Sequence, residues 1–185
     1  MRSFLNRKRF DDLTEQEIIA LAISSEEDDA RIYRGYAENL RSEYPDSAAV
    51  FDGMATEEDS HRQQLIDLHS TRFGSVIPLI RREHVSGYYA RTPVWLIENL
   101  GLDRIRAEAN AMENAAERFY LLAAARSSDA STRKLLGDLA AAEAGHQLTA
   151  ENLSDEHLTD DTIVKENSEA HRQFILTWVQ PGLAG

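Results

Sequence analysis

The chain of 185 residues contains no cysteine. A disulfide framework, a thiolate-ligated zinc site and an iron–sulfur cluster are therefore excluded. Proline is scarce, with four in all. Pro45 and Pro181 stand where helical patterns end, and Pro78 and Pro93 fall in one irregular stretch, so the long periodic segments escape the residue that breaks helices. No run of about 18 apolar residues occurs, and nothing reads as a membrane span. The basic opening MRSFLNRKRF has no apolar stretch behind it, so it does not read as a signal peptide. Basic residues are also in deficit, 20 against 32 acidic, for a net charge of −12. That balance argues against a nucleic-acid partner and suits a protein that attracts cations. The length is enough for one domain with a sizeable core.

Against those absences, two spacings recur. Glu143 and His146 stand three residues apart in AAAEAGHQL, as do Glu58 and His61 in TEEDSHRQQL. Residues i and i+3 share a helix face, so each pair can reach a single metal ion. Glu26 precedes Tyr33 by seven residues, and Glu113 precedes Tyr120 by the same step. With 18 Glu, 6 His and 6 Tyr in the chain, each pattern is expected about 0.6 times by chance, so a single match is weak. Two of each, alternating along the chain, are an internal repeat of a helical hairpin. A Glu from each of two helices and a Glu-x-x-His from each of the other two make the donor set of a di-iron carboxylate four-helix bundle.

In chain order, residues 1–13 read as a loose basic lead-in. Residues 14–153 read as the bundle, and residues 154–185 as a linker and extension helix. Thr14 with Glu17 forms a capping box for the first helix. Tyr44-Pro45 ends it, and Asp46 or Ser47 is the expected cap of the second. Residues 73–101 are interrupted by Gly74, Pro78, Gly87 and Pro93. A loop of this length inside a compact domain needs a task, and the expected one is to cross the bundle lengthwise, with a short helix from Thr92. The third helix spans about 102–126 and the fourth follows Ser127, Ser128 and Asp129. An acidic stretch after residue 153 leads to a further apolar helix ending before Pro181.

Four carboxylates, Glu26, Glu58, Glu113 and Glu143, balance the charge of two divalent irons, and carboxylate with imidazole suits iron, manganese or zinc. Symmetry makes Glu58 and Glu143 the bridging pair. Glu26 with His61, and Glu113 with His146, become terminal ligands on separate ions. Tyr33 and Tyr120 are the expected hydrogen-bond donors that orient carboxylates. The chemistry expected is oxidation of an Fe(II) pair by dioxygen or peroxide. Glu117, one turn beyond Glu113, is expected to pair at the surface with neighbouring arginines.

These motifs resemble the rubrerythrin branch of ferritin-like proteins, over about residues 14–153. More closely the chain is similar to the N-terminal erythrin-type domain of the membrane-bound ferritin A family, in which such a domain is fused to a membrane domain like that of vacuolar iron transporters. The resemblance implies a homodimer on the cytoplasmic side of a bacterial inner membrane, with ferroxidase activity coupled to iron efflux through a membrane domain beyond this chain. The ending FILTWVQPGLAG is similar to the junction before that domain. Two departures stand out: there is no cysteine-rich module, and Ala116 occupies the place where rubrerythrins carry an extra Glu, three residues after the third-helix ligand. Alternatives to oxidation are a non-catalytic iron-loading or iron-sensing module, a peroxide-reducing enzyme, a storage-cage subunit and a dimanganese protein.

Overall fold

The computed structural model describes residues 7–86 and 101–152. Among them lie four long helices: α1, Glu15–Leu40; α2, Pro45–Phe73; α3, Leu102–Arg126; and α4, Ala130–Asn152. This is the all-α, ferritin-like four-helix bundle that the repeated spacing predicts. The only β-structure among the described residues is a two-residue parallel pairing of β1, Lys8–Arg9, with β2, Val85–Ser86. No helix among these residues is long and apolar enough to cross a membrane. The short helix expected from Thr92 and the expected C-terminal helix lie outside the described residues.

Each helix begins and ends for local reasons. The Thr14 hydroxyl accepts the Glu17 N–H at 3.2 Å, and the Glu17 carboxylate accepts the Thr14 N–H at 3.0 Å. The second helix differs from expectation. Neither Asp46 nor Ser47 caps it; Tyr44 is the N-cap without a side-chain bond, and Pro45 is the first helical residue. Proline fits there because its missing N–H would have had no intrahelical partner. Helix α2 stops at Gly74, whose φ of +86° is left-handed and free of strain only without a Cβ. At the start of α4, the Asp129 carboxylate accepts the Thr132 N–H at 2.8 Å.

Helices α1 and α2 form one hairpin and α3 and α4 the other, joined by α1–α3 and α2–α4 seams. Two apolar clusters fill the bundle. One gathers Ile19, Leu21 and Leu65 with Phe119, Ala123, Leu136 and Leu139. The other gathers Tyr36, Leu40 and Phe51 with Leu102, Ile105 and Met112. Helix α2 thus ends beside the first cluster while α3 starts in the second, so the described ends of the connection lie at opposite ends of the bundle. It is pinned on the way. Arg82 donates to the Ser25 carbonyl and the Asp29 carboxylate, both at 2.9 Å, and to the Ser25 hydroxyl at 3.0 Å.

The described part of the lead-in, residues 7–13, is not loose. Leu13 is buried in the first cluster and Phe10 packs against it, edge-on to Phe119 with centroids 5.9 Å apart. Arg126 donates to the carbonyls of Phe10, Asp11 and Leu13. The basic character of the segment conceals the two apolar residues that dock it.

Candidate metal centre

Between the two apolar clusters lies a polar layer. Glu26 comes from α1, Glu58 and His61 from α2, Glu113 from α3, and Glu143 and His146 from α4. The carboxylates are 1–2% exposed and the imidazoles 8% and 5%. Helix lengths set the level of each. Glu26 lies 14 residues before Leu40 and Glu58 lies 13 after Pro45; Glu113 lies 13 before Arg126 and Glu143 lies 13 after Ala130. At 1.5 Å per residue, antiparallel partners meet at the same height.

The six form two overlapping quartets: Glu26, Glu58, His61 and Glu143; and Glu58, Glu113, Glu143 and His146. In each, the ligand-type atoms lie within 4.8 Å of one another. His61 Nδ1 is 3.5 Å from Glu26 Oε2, 3.4 Å from Glu58 Oε2 and 3.6 Å from Glu143 Oε1. His146 Nδ1 is 3.5 Å from Glu58 Oε1, 3.5 Å from Glu113 Oε2 and 4.0 Å from Glu143 Oε2. Glu58 and Glu143 each turn one oxygen to either imidazole.

Five of these buried atoms have no hydrogen-bond partner: Glu26 Oε2, His61 Nδ1, Glu113 Oε2, Glu143 Oε1 and His146 Nδ1. Leaving one buried polar atom unsatisfied costs about 1–3 kcal/mol. Five that converge on the same two points fit a pair of divalent cations, each taking one nitrogen and several oxygens.

The remaining oxygens are held from outside. The Tyr33 hydroxyl donates to Glu113 Oε1 and the Tyr120 hydroxyl to Glu26 Oε1. Each tyrosine thus crosses the α1–α3 seam to the carboxylate of the other hairpin.

The electrostatics follow from crowding four carboxyls in a dry layer. Burial, then the charge of Glu58, pushes the Glu26 carboxyl up to about 8. Burial also lifts Glu143 well above the carboxylate range, with Glu113 and the charge of Glu58 adding to it. Burial would raise Glu58 as well, but its contacts with Glu26, His146 and His61 outweigh that and hold it low. Burial opposes charge on the imidazoles, yet Glu26 and Glu58 bring His61 up to about 9. Glu113, Glu58 and Glu57 bring His146 up to about 11. At 3.4–4.0 Å, the Nδ1–carboxylate contacts within the quartets are ion-pair contacts, longer than good hydrogen bonds. Burial and the neighbouring carboxylates likewise raise both tyrosines, which stay protonated donors.

Sequence spacing missed Glu57. Its carboxylate meets His146 Nε2 at 2.7 Å across the α2–α4 seam. Being next to Glu58, it projects from a different face of α2 and escapes the i+3 rule. The signal that could have found it is the need of a ligating histidine for an acceptor at its other nitrogen. Glu117 joins neither quartet and, among the described residues, pairs with no arginine; it accepts from the Gln147 amide at 3.2 Å, while Arg126 donates to the lead-in carbonyls. Of the other histidines, buried His69 bonds the Gly74 carbonyl at 3.0 Å, and His84 Nδ1 accepts the Arg81 N–H at 3.1 Å.

The fold and these quartets define a ferritin-like protein with a carboxylate–histidine site of the di-iron type. A family model described as rubrerythrin matches residues 17–154, and the chain belongs to that family. Among solved structures, a hypothetical protein from Pyrococcus furiosus superposes with a TM-score of 0.60 at 22% identity, covering 81% of this chain and 96% of that one. It is similar in fold. No curated protein matches.

Proposed function

We propose that the chain binds two irons and oxidises Fe(II), as the cytoplasmic part of a homodimeric bacterial iron exporter. The observation that carries the oxidation reading is the pair of quartets sharing Glu58 and Glu143. Glu58 and Glu143 would bridge. Glu26 with His61 would complete one position and Glu113 with His146 the other. A pair of Fe(II) ions held there would give up one electron each, two in all, to reduce dioxygen to peroxide or peroxide to water. The protein's part is to orient and to exclude. Tyr33 and Tyr120 fix the terminal carboxylates by their outer oxygens, leaving the inner ones for metal. The apolar clusters above and below keep the layer dry. Both imidazoles must give up the proton at Nδ1 for that nitrogen to ligate.

Ala116 packs as a small buried residue beside Glu113, and Glu117 is turned to Gln147. No carboxylate on the following turn of α3 is therefore placed to trade with the ligands. This favours Fe(II) oxidation over a peroxide-reducing cycle, with dioxygen expected to be used at least as readily as peroxide. Dimerisation is supported by Leu121 and Leu122, which α3 leaves more than half exposed. The exporter reading rests on the resemblance of the motifs and of the tail at 154–185.

Stopped-flow oxidation of Fe(II) in repeated additions tests the activity. Sustained turnover over many equivalents supports the oxidase, whereas a single burst of two equivalents makes the site an iron-loading module. A monomeric mass in solution would overturn the dimer. A strain lacking the gene should tolerate less iron, and unchanged tolerance would count against export.

A further inference from the structure

The two quartets mirror each other in their ligands but not in what stands behind them. His146 Nε2 bonds the carboxylate of Glu57 at 2.7 Å. The repeat places Ala142 where Glu57 stands, immediately before the bridging Glu of its helix, and its methyl group accepts no hydrogen bond. Among the described residues, no side chain bonds the Nε2 of His61. We propose that Glu57 is a positioning residue that makes the two metal positions inequivalent, with the divalent cation held more tightly at the Glu113–His146 position than at the Glu26–His61 position.

This deepens the dinuclear reading and rests on it. A carboxylate on the far nitrogen keeps Nε2 protonated and presents the Nδ1 lone pair to the metal. It also locks the ring plane and raises the basicity of the ligating nitrogen. Such a partner is worth about 10–100-fold in metal affinity. The Glu57 side chain is 62% exposed, so solvent weakens the charge effect and the lower end of that range is expected. Glu57 also places a carboxylate at the surface in direct contact with the buried imidazole of His146.

Anaerobic titration of the metal-free full chain with Co(II), followed by its visible ligand-field bands, tests this without any turnover. The wild type should bind two equivalents in two steps about tenfold apart. Glu57→Ala should weaken only the tighter step, bringing it level with the other, and Glu57→Gln, which still offers an acceptor, should lose less. Ala142→Glu should tighten the weaker step. Glu26→Ala should retain the tight equivalent and Glu113→Ala should lose it, which assigns the steps to positions. Two equal steps in the wild type, or Glu57→Ala moving both steps alike or neither, would overturn inequivalence and leave the dinuclear site standing. Absence of Co(II) binding in the wild type would overturn the dinuclear reading, and this one with it.

Discussion

Tyr33 and Tyr120 sit one seven-residue step from Glu26 and Glu113, yet each donates to the carboxylate of the opposite hairpin. A seven-residue step is about two turns, so a tyrosine stands about 10.5 Å along the helix from its own Glu. The neighbouring antiparallel helix brings the other Glu within reach. Tyr33→Phe removes the donor to Glu113 and should weaken metal binding at the Glu113–His146 position about tenfold, while the Glu26–His61 position is unchanged. Anaerobic titration of the variant measures this; equal losses at both positions would contradict it. The clustering of the six Glu and His residues was legible because i and i+3 share a face and because the pattern occurs twice. The tyrosine crossing and the Glu57 bond were not, because they depend on how one hairpin packs on the other, and single-helix periodicity carries no information about that.

Elements were legible where a chemical signal marks their ends. Thr14 and Glu17 announce the start of α1, and Thr14→Ala should cost about 1 kcal/mol of stability. The N-cap of α2, Tyr44, lies two or three residues before the expected cap because Pro45 serves as the first helical residue rather than as a spacer before a cap. Counting from the true ends, Leu40 for α1 and Pro45 for α2, brings Glu26 and Glu58 level. The crossing connection was legible only as a task to be done. How it is held depends on Arg82, which nothing in the local sequence distinguishes from Arg81. Arg82 and Asp29 have side chains 9% and 6% exposed. Breaking such a buried pair from one side costs about 3 kcal/mol, so Arg82→Ala should lower the urea midpoint accordingly. A change below about 0.5 kcal/mol, the range of an ordinary surface substitution, would show that the connection is held elsewhere.

For the whole molecule, the buried layer of Glu and His residues ties stability to pH and, in the proposed dinuclear reading, to metal. In the metal-free protein Glu26 is raised to about 8, Glu143 lies well above the carboxylate range, His61 is raised to about 9 and His146 to about 11. Each folded value exceeds its unfolded one, so the native state holds more protons. The stability these groups contribute is present at low pH and lost as pH rises through their folded values. Glu58, held low, acts oppositely, but only below its ordinary value of 4.5. The melting temperature in chelator should therefore fall between about pH 5 and 9, and a rise over that range would contradict the electrostatic account. Bound metal displaces those protons, so stabilisation by metal should grow over the same interval. The most direct test of the dinuclear centre is an anaerobic Fe(II) titration of the metal-free chain, beside Glu143→Ala. Two tight equivalents per chain in the wild type, and neither in a variant that has lost an oxygen from both quartets, is the predicted result. No stoichiometric binding in the wild type, or two tight equivalents surviving in Glu143→Ala, would contradict it.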